Sequence, residues 1–232
     1  MIRLRPSDAR GRYRNGWLDS QHSFSFGEYY DPQHLGFSVL RVINDDLIAP
    51  GAGFPTHPHR DMEIVTYVLD GAIAHKDSMG NGSTIRPGEI QRMSAGTGIT
   101  HSEYNPWTDE GTRLLQIWVL PSTRGLTPSY EQAAIPFEDG RLIRIAGCEG
   151  GVVAIQQDAA IYAARFSGAG RARHDIADKR TAWVQMARGS MTVNGVVLAE
   201  GDGASVTKET ALELVADAAC EVLVFDLPPL NN

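Results

Sequence analysis

The order of turn signals constrains this chain most, because the same order occurs twice. A single glycine, an Asn-Gly pair and a Gly-acid turn follow one another in each half: Gly71, Asn81-Gly82 and Gly88-Glu89 first, then Gly189, Asn194-Gly195 and Gly201-Asp202. Short runs of β-branched and apolar residues separate these turns, and Asn-Gly is typical of tight hairpins. We therefore expect an all-β protein built by internal duplication.

The length and composition agree with two such units. A chain of 232 residues is long enough for two domains of about 100 residues each. Its 24 glycines and 12 prolines favour many short strands joined by turns. Residues 121–136 contain Ser, Thr, Pro and Gly and predict a connection, with a short helix around residues 130–134. We expect an N-terminal domain over residues 1–135 and a C-terminal domain over residues 136–232.

Alternating and apolar runs predict individual strands in the first half. Phe24 and Phe26 alternate with small polar residues, which indicates a half-buried strand. Residues 37–43 predict a second strand, which we expect to end in a turn at residues 44–46. Residues 62–69 are apolar on both faces and predict a central strand that Asp70-Gly71 then turns.

Two pairs of candidate metal ligands stand at strand spacing. Successive side chains of a strand point to opposite faces. His57 and His59 therefore share one face of their strand, and His101 and Glu103 share one face of theirs. If the two strands are neighbours, three imidazoles and one carboxylate converge. Such a set suits Fe(II), Mn(II), Ni(II), Cu(II) or Zn(II). A lone His-x-His pair would equally describe surface or core histidines, and the second pair favours the metal site.

The duplication predicts that only one half carries these ligands. Counting without gaps from the repeated glycines places Asp175 and Ala177 at the positions of the first pair, and Leu214 and Ala216 at those of the second. His174 lies one position away from a ligand position. The second half contains neither His-x-His nor His-x-Glu, so we expect its metal site to be lost. His22 could line a site or be a hydrogen-bonded structural histidine.

Charge and cysteine usage exclude several functions. The net charge of −7 repels phosphate backbones, so we expect no direct nucleic-acid binding. The sequence contains no apolar run of the roughly 18 residues that a membrane helix needs. Cys148 and Cys220 lack metal-type spacing and predict free thiols in a reducing compartment. We expect a cytoplasmic protein.

The two ligand stretches resemble cupin motifs. Gly51-x5-His57-x-His59-x3-Glu63, followed by Gly71, resembles the first motif, and the segment from Gly88 through His101 to Asn105 resembles a loosened second one. More specifically, residues 56–71, 77–81 and 93–105 are similar to the pirin family. The similarity extends over nearly the whole chain and is strongest to bacterial members described as quercetin 2,3-dioxygenases.

This resemblance implies a bicupin, in which two jelly-roll-type β-barrels face one another and one metal ion lies in the N-terminal barrel. The implied ligands are His57, His59, His101 and Glu103. Glu63, which matches the ligand glutamate of the general cupin motif, is left as a residue near the pocket. The implied cofactor is one divalent transition metal, Fe(II) first, with Mn, Ni, Cu and Zn as alternatives.

The implied activity is cleavage of a flavonol such as quercetin with O2 and release of CO. Glu103 is then the candidate acceptor of the substrate hydroxyl proton, and Glu63 is the second candidate. The main alternative is a non-enzymatic redox sensor that binds metal and a protein partner, as a transcription cofactor does. A cupin isomerase or decarboxylase would use the same ligands. We expect a monomer that binds a small aromatic substrate and does not bind membranes.

Overall fold

The structure is a computed structural model, and it describes residues 1–230. The last two positions of the predicted C-terminal domain therefore lie outside the described residues. Twenty-two strands and one 3-10 turn, Ser7–Ala9, make up the regular structure of this range. The predicted all-β class is confirmed. Within the same range, no helix is long and apolar enough to span a lipid bilayer.

The strands divide into two series. The first comprises β1 (Ile2–Arg5), β2 (Gly11–Arg14), β3 (Leu18–His22), β4 (Leu40–Ile48), β5 (Gly53–His59), β6 (Glu63–Asp70), β7 (Ile73–Asp77), β8 (Gly82–Ile85), β9 (Glu89–Ser94), β10 (Ile99–Tyr104), β11 (Thr112–Val119) and β12 (Ser129–Ala134). The second comprises β13 (Ile143–Gly147), β14 (Val153–Ala154), β15 (Ala160–Phe166), β16 (Gly170–Asp175), β17 (Thr181–Arg188), β18 (Ser190–Val193), β19 (Val196–Ala199), β20 (Gly203–Val206), β21 (Ala211–Ala216) and β22 (Cys220–Leu227).

Each half contains one seven-stranded and one four-stranded sheet. The N-terminal sheets have the orders β12-β9-β6-β11-β4-β3-β2 and β5-β10-β7-β8. The C-terminal sheets have the orders β1-β20-β17-β22-β15-β13-β14 and β16-β21-β18-β19. The first strand thus joins the sheet of the second half. The domain division at residue 135 stays a prediction.

The two large sheets share a core. Side chains of β6 alternate, so Val65 and Tyr67 lie on one face and pack in a cluster with Leu223 and Phe225 of β22. Val68 lies on the other face, in a separate cluster within the N-terminal half. This strand is buried on both faces, as the apolar run predicts. Burial of each such side chain stabilises the fold by about 1.5–3 kcal/mol.

The predicted helix around residues 130–134 is wrong, because this segment is strand β12. It pairs antiparallel with β9, from Ser129 opposite Ser94 to Ala134 opposite Glu89. Residues 131–134 favour a helix, but their helix propensity is outweighed by the backbone hydrogen bonds that they form with β9 at the sheet edge.

Two strand boundaries also differ from the sequence-based expectation. The turn predicted at residues 44–46 is wrong, since β4 continues to Ile48 with β3 on one side and β11 on the other. The alternating strand predicted at Phe24 and Phe26 instead lies just beyond β3. There Phe26 and Tyr29 form an isolated bridge around Gly27, whose positive φ of 57° turns the chain.

Candidate metal centre

Strands β5 and β10 are antiparallel neighbours, and their pairing brings three histidines together. His57 lies opposite His101, and His59 lies opposite Ile99. The ring centroids of His57 and His101 are 4.5 Å apart, and those of His59 and His101 are 4.9 Å apart. One ring nitrogen of each histidine lies within 4.8 Å of those of the other two. Three of the four predicted ligands therefore converge.

Glu103 adjoins this cluster through His101. Its carboxylate lies within 4.8 Å of donor nitrogens of His101 and His75, which are themselves that close. Gln116 Nε2 donates to both Glu103 oxygens, at 3.0 and 3.2 Å, and Thr66 Oγ1 donates to Oε1 at 3.3 Å. Burial raises the pKa of the Glu103 carboxyl, which these hydrogen bonds and the nearby imidazoles partly oppose.

The free nitrogens of the cluster fit a metal ion. The Nδ1 atom of His57 lies 2.8 Å from the carbonyl oxygen of Pro55. A carbonyl only accepts, so Nδ1 carries the proton and Nε2 keeps its lone pair. His101 Nε2 is buried without a hydrogen-bond partner. Such an orphaned atom is costly unless it finds a ligand, and three imidazoles beside a carboxylate suit one divalent transition metal.

A pocket of about 680 Å³ opens onto the cluster. Phe26, Phe54 and Trp118 supply aromatic surface, and Leu18 and Ile64 add aliphatic surface. The size is within the range of pockets that enclose a small organic ligand.

A polar wall faces the same pocket, and most of its residues were not predicted from the sequence. His22, Asn44 and Asp46 line the pocket, each at most 4% exposed. The polar run at residues 44–46 predicted a turn, so Asn44 and Asp46 were not expected to lie on a strand. The informative signal was the return of apolar residues immediately after this run, at Leu47 and Ile48.

Two groups of this wall have shifted pKa values. Burial lowers the pKa of His22 to about 4, and the nearby positive charge of Arg10 adds to the effect. Burial raises the pKa of Asp46 to about 7, against a hydrogen bond from Ser20 and with the charges of Asp45 and Glu103 reinforcing the rise. The wall therefore offers a neutral imidazole and a carboxyl that titrates near neutrality.

His75 is a further residue near the cluster that was not predicted from the sequence. It lies on β7 directly opposite Glu103 and is 2% exposed. The sequence did contain a signal, because His75-Lys76-Asp77 is a third pair of potential ligands at strand spacing, like His57-x-His59 and His101-x-Glu103.

Glu63 does not join the cluster. It shares a face of β6 with Val65, toward the C-terminal half, whereas the pocket lies on the face of Ile64. Its carboxylate accepts hydrogen bonds from Ser94 Oγ at 2.8 Å and from the backbone N–H of Gln156 at 3.2 Å. The structure therefore separates this second candidate base from the histidines.

We expect the stability of the metal-free protein to depend on His59. Burial lowers the pKa of His59 to about 4, with the charge of His57 contributing, against about 6.5 in the unfolded chain. Between pH 6.5 and 4 the unfolded chain binds a proton at this histidine and the folded chain does not. The free energy of unfolding is therefore highest above pH 6.5 and decreases as the pH falls toward 4. Urea unfolding between pH 7 and 4 should show a steeper loss in the wild type than in His59→Phe. Parallel curves would contradict this prediction.

Two similar β units, of which the first holds a histidine-rich centre at a pocket, define a two-domain cupin protein with a metal site. A sequence model of the Pirin family matches residues 3–119, and one described as "Quercetinase C-terminal cupin domain" matches residues 146–227. The chain belongs to the pirin family, as the sequence resemblance predicts.

Named relatives span the whole chain. A protein of Escherichia coli K12 named quercetin 2,3-dioxygenase is 48% identical over 99% of this chain and 100% of its own. A putative quercetin 2,3-dioxygenase of Pseudomonas aeruginosa is 43% identical over 98% and 100%. The crystal structure of E. coli YhhW superposes with a TM-score of 0.95 at 47% identity, covering 100% of both chains. A YhhW complex with nickel(II) gives a TM-score of 0.94 at 47% identity, covering 99% and 100%.

Proposed function

We propose that this protein is a metal-dependent dioxygenase that cleaves a flavonol such as quercetin with O2 and releases CO. The observation that carries the proposal is the buried, unpartnered Nε2 of His101 within a histidine cluster that opens onto an aromatic pocket. The full-length similarity to proteins named quercetin 2,3-dioxygenase supports the reaction and substrate class.

His57, His59, His101 and Glu103 would hold one divalent ion, and Fe(II) is our first candidate. A relative binds nickel(II), so Ni(II), Mn(II), Cu(II) and Zn(II) stay alternatives. When bound, such an ion supplies a Lewis acid that favours the deprotonated form of the substrate hydroxyl and, for a redox-active metal, a partner for dioxygen.

Glu103 is the residue best placed to accept the hydroxyl proton of the substrate. Its burial favours the protonated carboxyl, which makes the carboxylate a stronger base than one in water. Gln116 holds both carboxylate oxygens, so the group is oriented before the substrate arrives. The proton would reside on one of these two oxygens, and Gln116 would stay bonded to the other.

The pocket would hold the flavonol between aromatic and polar surfaces. Phe26, Phe54 and Trp118 offer ring faces and edges to the aromatic rings. Asn44 and Asp46, which line the same pocket, offer oxygen acceptors to phenolic hydroxyls. Filling this space with a planar ligand would exclude water from Glu103.

Oxygen uptake tests the proposal. Protein loaded anaerobically with Fe(II) and then given quercetin and air should consume one O2 and release one CO per quercetin. Parallel samples with Ni(II), Mn(II), Cu(II) and Zn(II) identify the productive metal, and metal-free protein is the control. Absence of turnover with every fully loaded metal would contradict the proposal and favour the partner-binding redox sensor.

The proposal also places the protein in the cytoplasm as a monomer. Cys148 is exposed and Cys220 is buried, and both are unpaired, which is compatible with a reducing compartment. Light scattering of the purified protein tests the oligomeric state.

A further inference from the structure

We propose that His75, held by Asp77, is a positioning residue that fixes the protonation pattern of the His101 ring and so directs its Nε2 lone pair at the metal. The inference rests on the ligand assignment of His101 and on no particular substrate or reaction.

Strand pairing places the three residues next to one another. On the side of β10 away from β5, strand β7 sets Asp77 opposite His101 and His75 opposite Glu103. His75 Nδ1 lies 3.4 Å from His101 Nδ1, and His75 Nε2 lies 3.3 Å from Asp77 Oδ2. The side chains of His75 and Asp77 are fully buried.

The direction of these hydrogen bonds follows from the donors around Asp77. Its carboxylate accepts three N–H bonds from the following turn: from the backbone of Met79 at 2.9 Å, from the backbone of Asn81 at 3.0 Å and from Asn81 Nδ2 at 2.8 Å. A carboxylate held by donors on both oxygens acts as an acceptor toward the imidazole as well. The proton of His75 is therefore on Nε2.

The next bond follows from the first. A neutral His75 with its proton on Nε2 has only a lone pair on Nδ1. The facing Nδ1 of His101 must then be the donor, which leaves His101 Nε2 without a proton. That atom is the buried nitrogen that lacks a protein partner. The series Asp77, His75, His101 thus orients one ligand, as the Pro55 carbonyl does for His57.

A competing role for His75 is direct metal binding together with His101 and Glu103, since these three are also close enough. That role would use the Nδ1 lone pair of His75, because Nε2 faces Asp77. His101 Nδ1–H would then lose its acceptor inside a buried site. The positioning role leaves neither group unpaired.

The second half supplies a matched control. His75 stacks on Tyr130 with ring centroids 5.0 Å apart and contacts Asp77. His174 likewise packs against Tyr162 at 4.7 Å and contacts Asp226 at 2.8 Å. Around His174, however, β21 presents the buried leucines Leu212 and Leu214. Replacement of either histidine by phenylalanine removes a carboxylate-bound imidazole that packs against a tyrosine ring.

The first experiment measures Ni(II) affinity by calorimetry. His75→Phe should weaken Ni(II) binding by about 10- to 100-fold, the usual effect of removing a partner of a metal-bound histidine. His75→Gln, whose amide oxygen can accept from His101 Nδ1, should bind more tightly than His75→Phe, and His174→Phe should bind like the wild type. Wild-type affinity in His75→Phe, or an equal loss in both histidine-to-phenylalanine variants, would overturn the proposal.

The second experiment reads the ring itself, in metal-free wild-type protein, by nitrogen-15 NMR. We expect His101 to carry its proton on Nδ1, and we expect this preference to weaken in His75→Phe. A proton on His101 Nε2 in the wild type would overturn the proposal even if the variants failed to fold. Binding of two Ni(II) ions per chain, with one lost in His75→Phe, would instead assign His75 as a ligand.

Discussion

Replacement of His101 by alanine is expected to abolish tight metal binding and to leave the fold intact. His101 belongs to both groups of potential ligands, since it contacts His57 and His59 on one side and lies beside Glu103 on the other. Without His101, the first group keeps only two histidines, His57 and His59, and it no longer shares a residue with the group that contains Glu103. We expect the affinity to fall by more than about 100-fold, beyond the effect of losing a supporting hydrogen bond.

The fold should survive because burial already opposes the charged form of this side chain. Desolvation is the main reason why the pKa of His101 is lowered to about 2, and the three neighbouring histidines add to it. Alanine removes one long hydrogen bond, the 3.4 Å contact with His75 Nδ1, and leaves that atom unpaired, at a cost of about 1–3 kcal/mol that we expect the fold to tolerate. Metal content after dialysis and circular dichroism measure the two quantities, with His174→Ala as the control. Full metal content in folded His101→Ala would disprove the ligand assignment.

Strand alternation is local, so the sequence alone predicts which candidate ligands share a face. His57 and His59 share a face whatever the tertiary structure, and so do His101 and Glu103. The repeated order of glycine turns likewise predicts two similar halves, and the observed sheets repeat as seven and four strands in each. What the spacing does not contain is the pairing of β5 with β10, which the family resemblance supplied.

The polar wall of the pocket could not be predicted in the same way. Asn44 and Asp46 are poor strand formers, and they adopt a strand only because β3 and β11 pair with β4 on its two sides. Each also has one buried side-chain oxygen without a hydrogen-bond partner. The local preference of Asn44 and Asp46 for a turn therefore disagrees with the strand that the sheet imposes, and it does so at residues that line the candidate site.

Glu63 shows a further limit of periodicity. Alternation along β6 places it with Val65 and opposite Ile64, but both neighbours are apolar and buried. A strand that is buried on two faces does not reveal which face meets the ligand site and which meets the other half of the molecule. Only the packing of the large sheets resolves the choice.

Replacement of Gly53 by alanine is expected to damage both the fold and the metal site. Gly53 begins β5 opposite Tyr104, next to the irregular pairing between His101 and Glu103. A Cβ atom there would lie 2.2 Å from the carbonyl oxygen of Glu103 and 2.5 Å from the Cα of Tyr104. These are backbone atoms and do not rotate away, so β5 and β10 must separate. The free energy of unfolding should fall by about 2 kcal/mol or more.

The same displacement should weaken Ni(II) binding, because β5 carries His57 and His59 whereas β10 carries His101 and Glu103. Gly82→Ala is the matched control, since a Cβ at that exposed strand position meets nothing within 4 Å. Urea unfolding and calorimetry on both variants separate the two effects. Wild-type stability in Gly53→Ala would show that the two strands can adjust without cost. A destabilised variant with unchanged Ni(II) affinity would show instead that the four side chains, rather than the spacing of the strands, determine how tightly the metal is held.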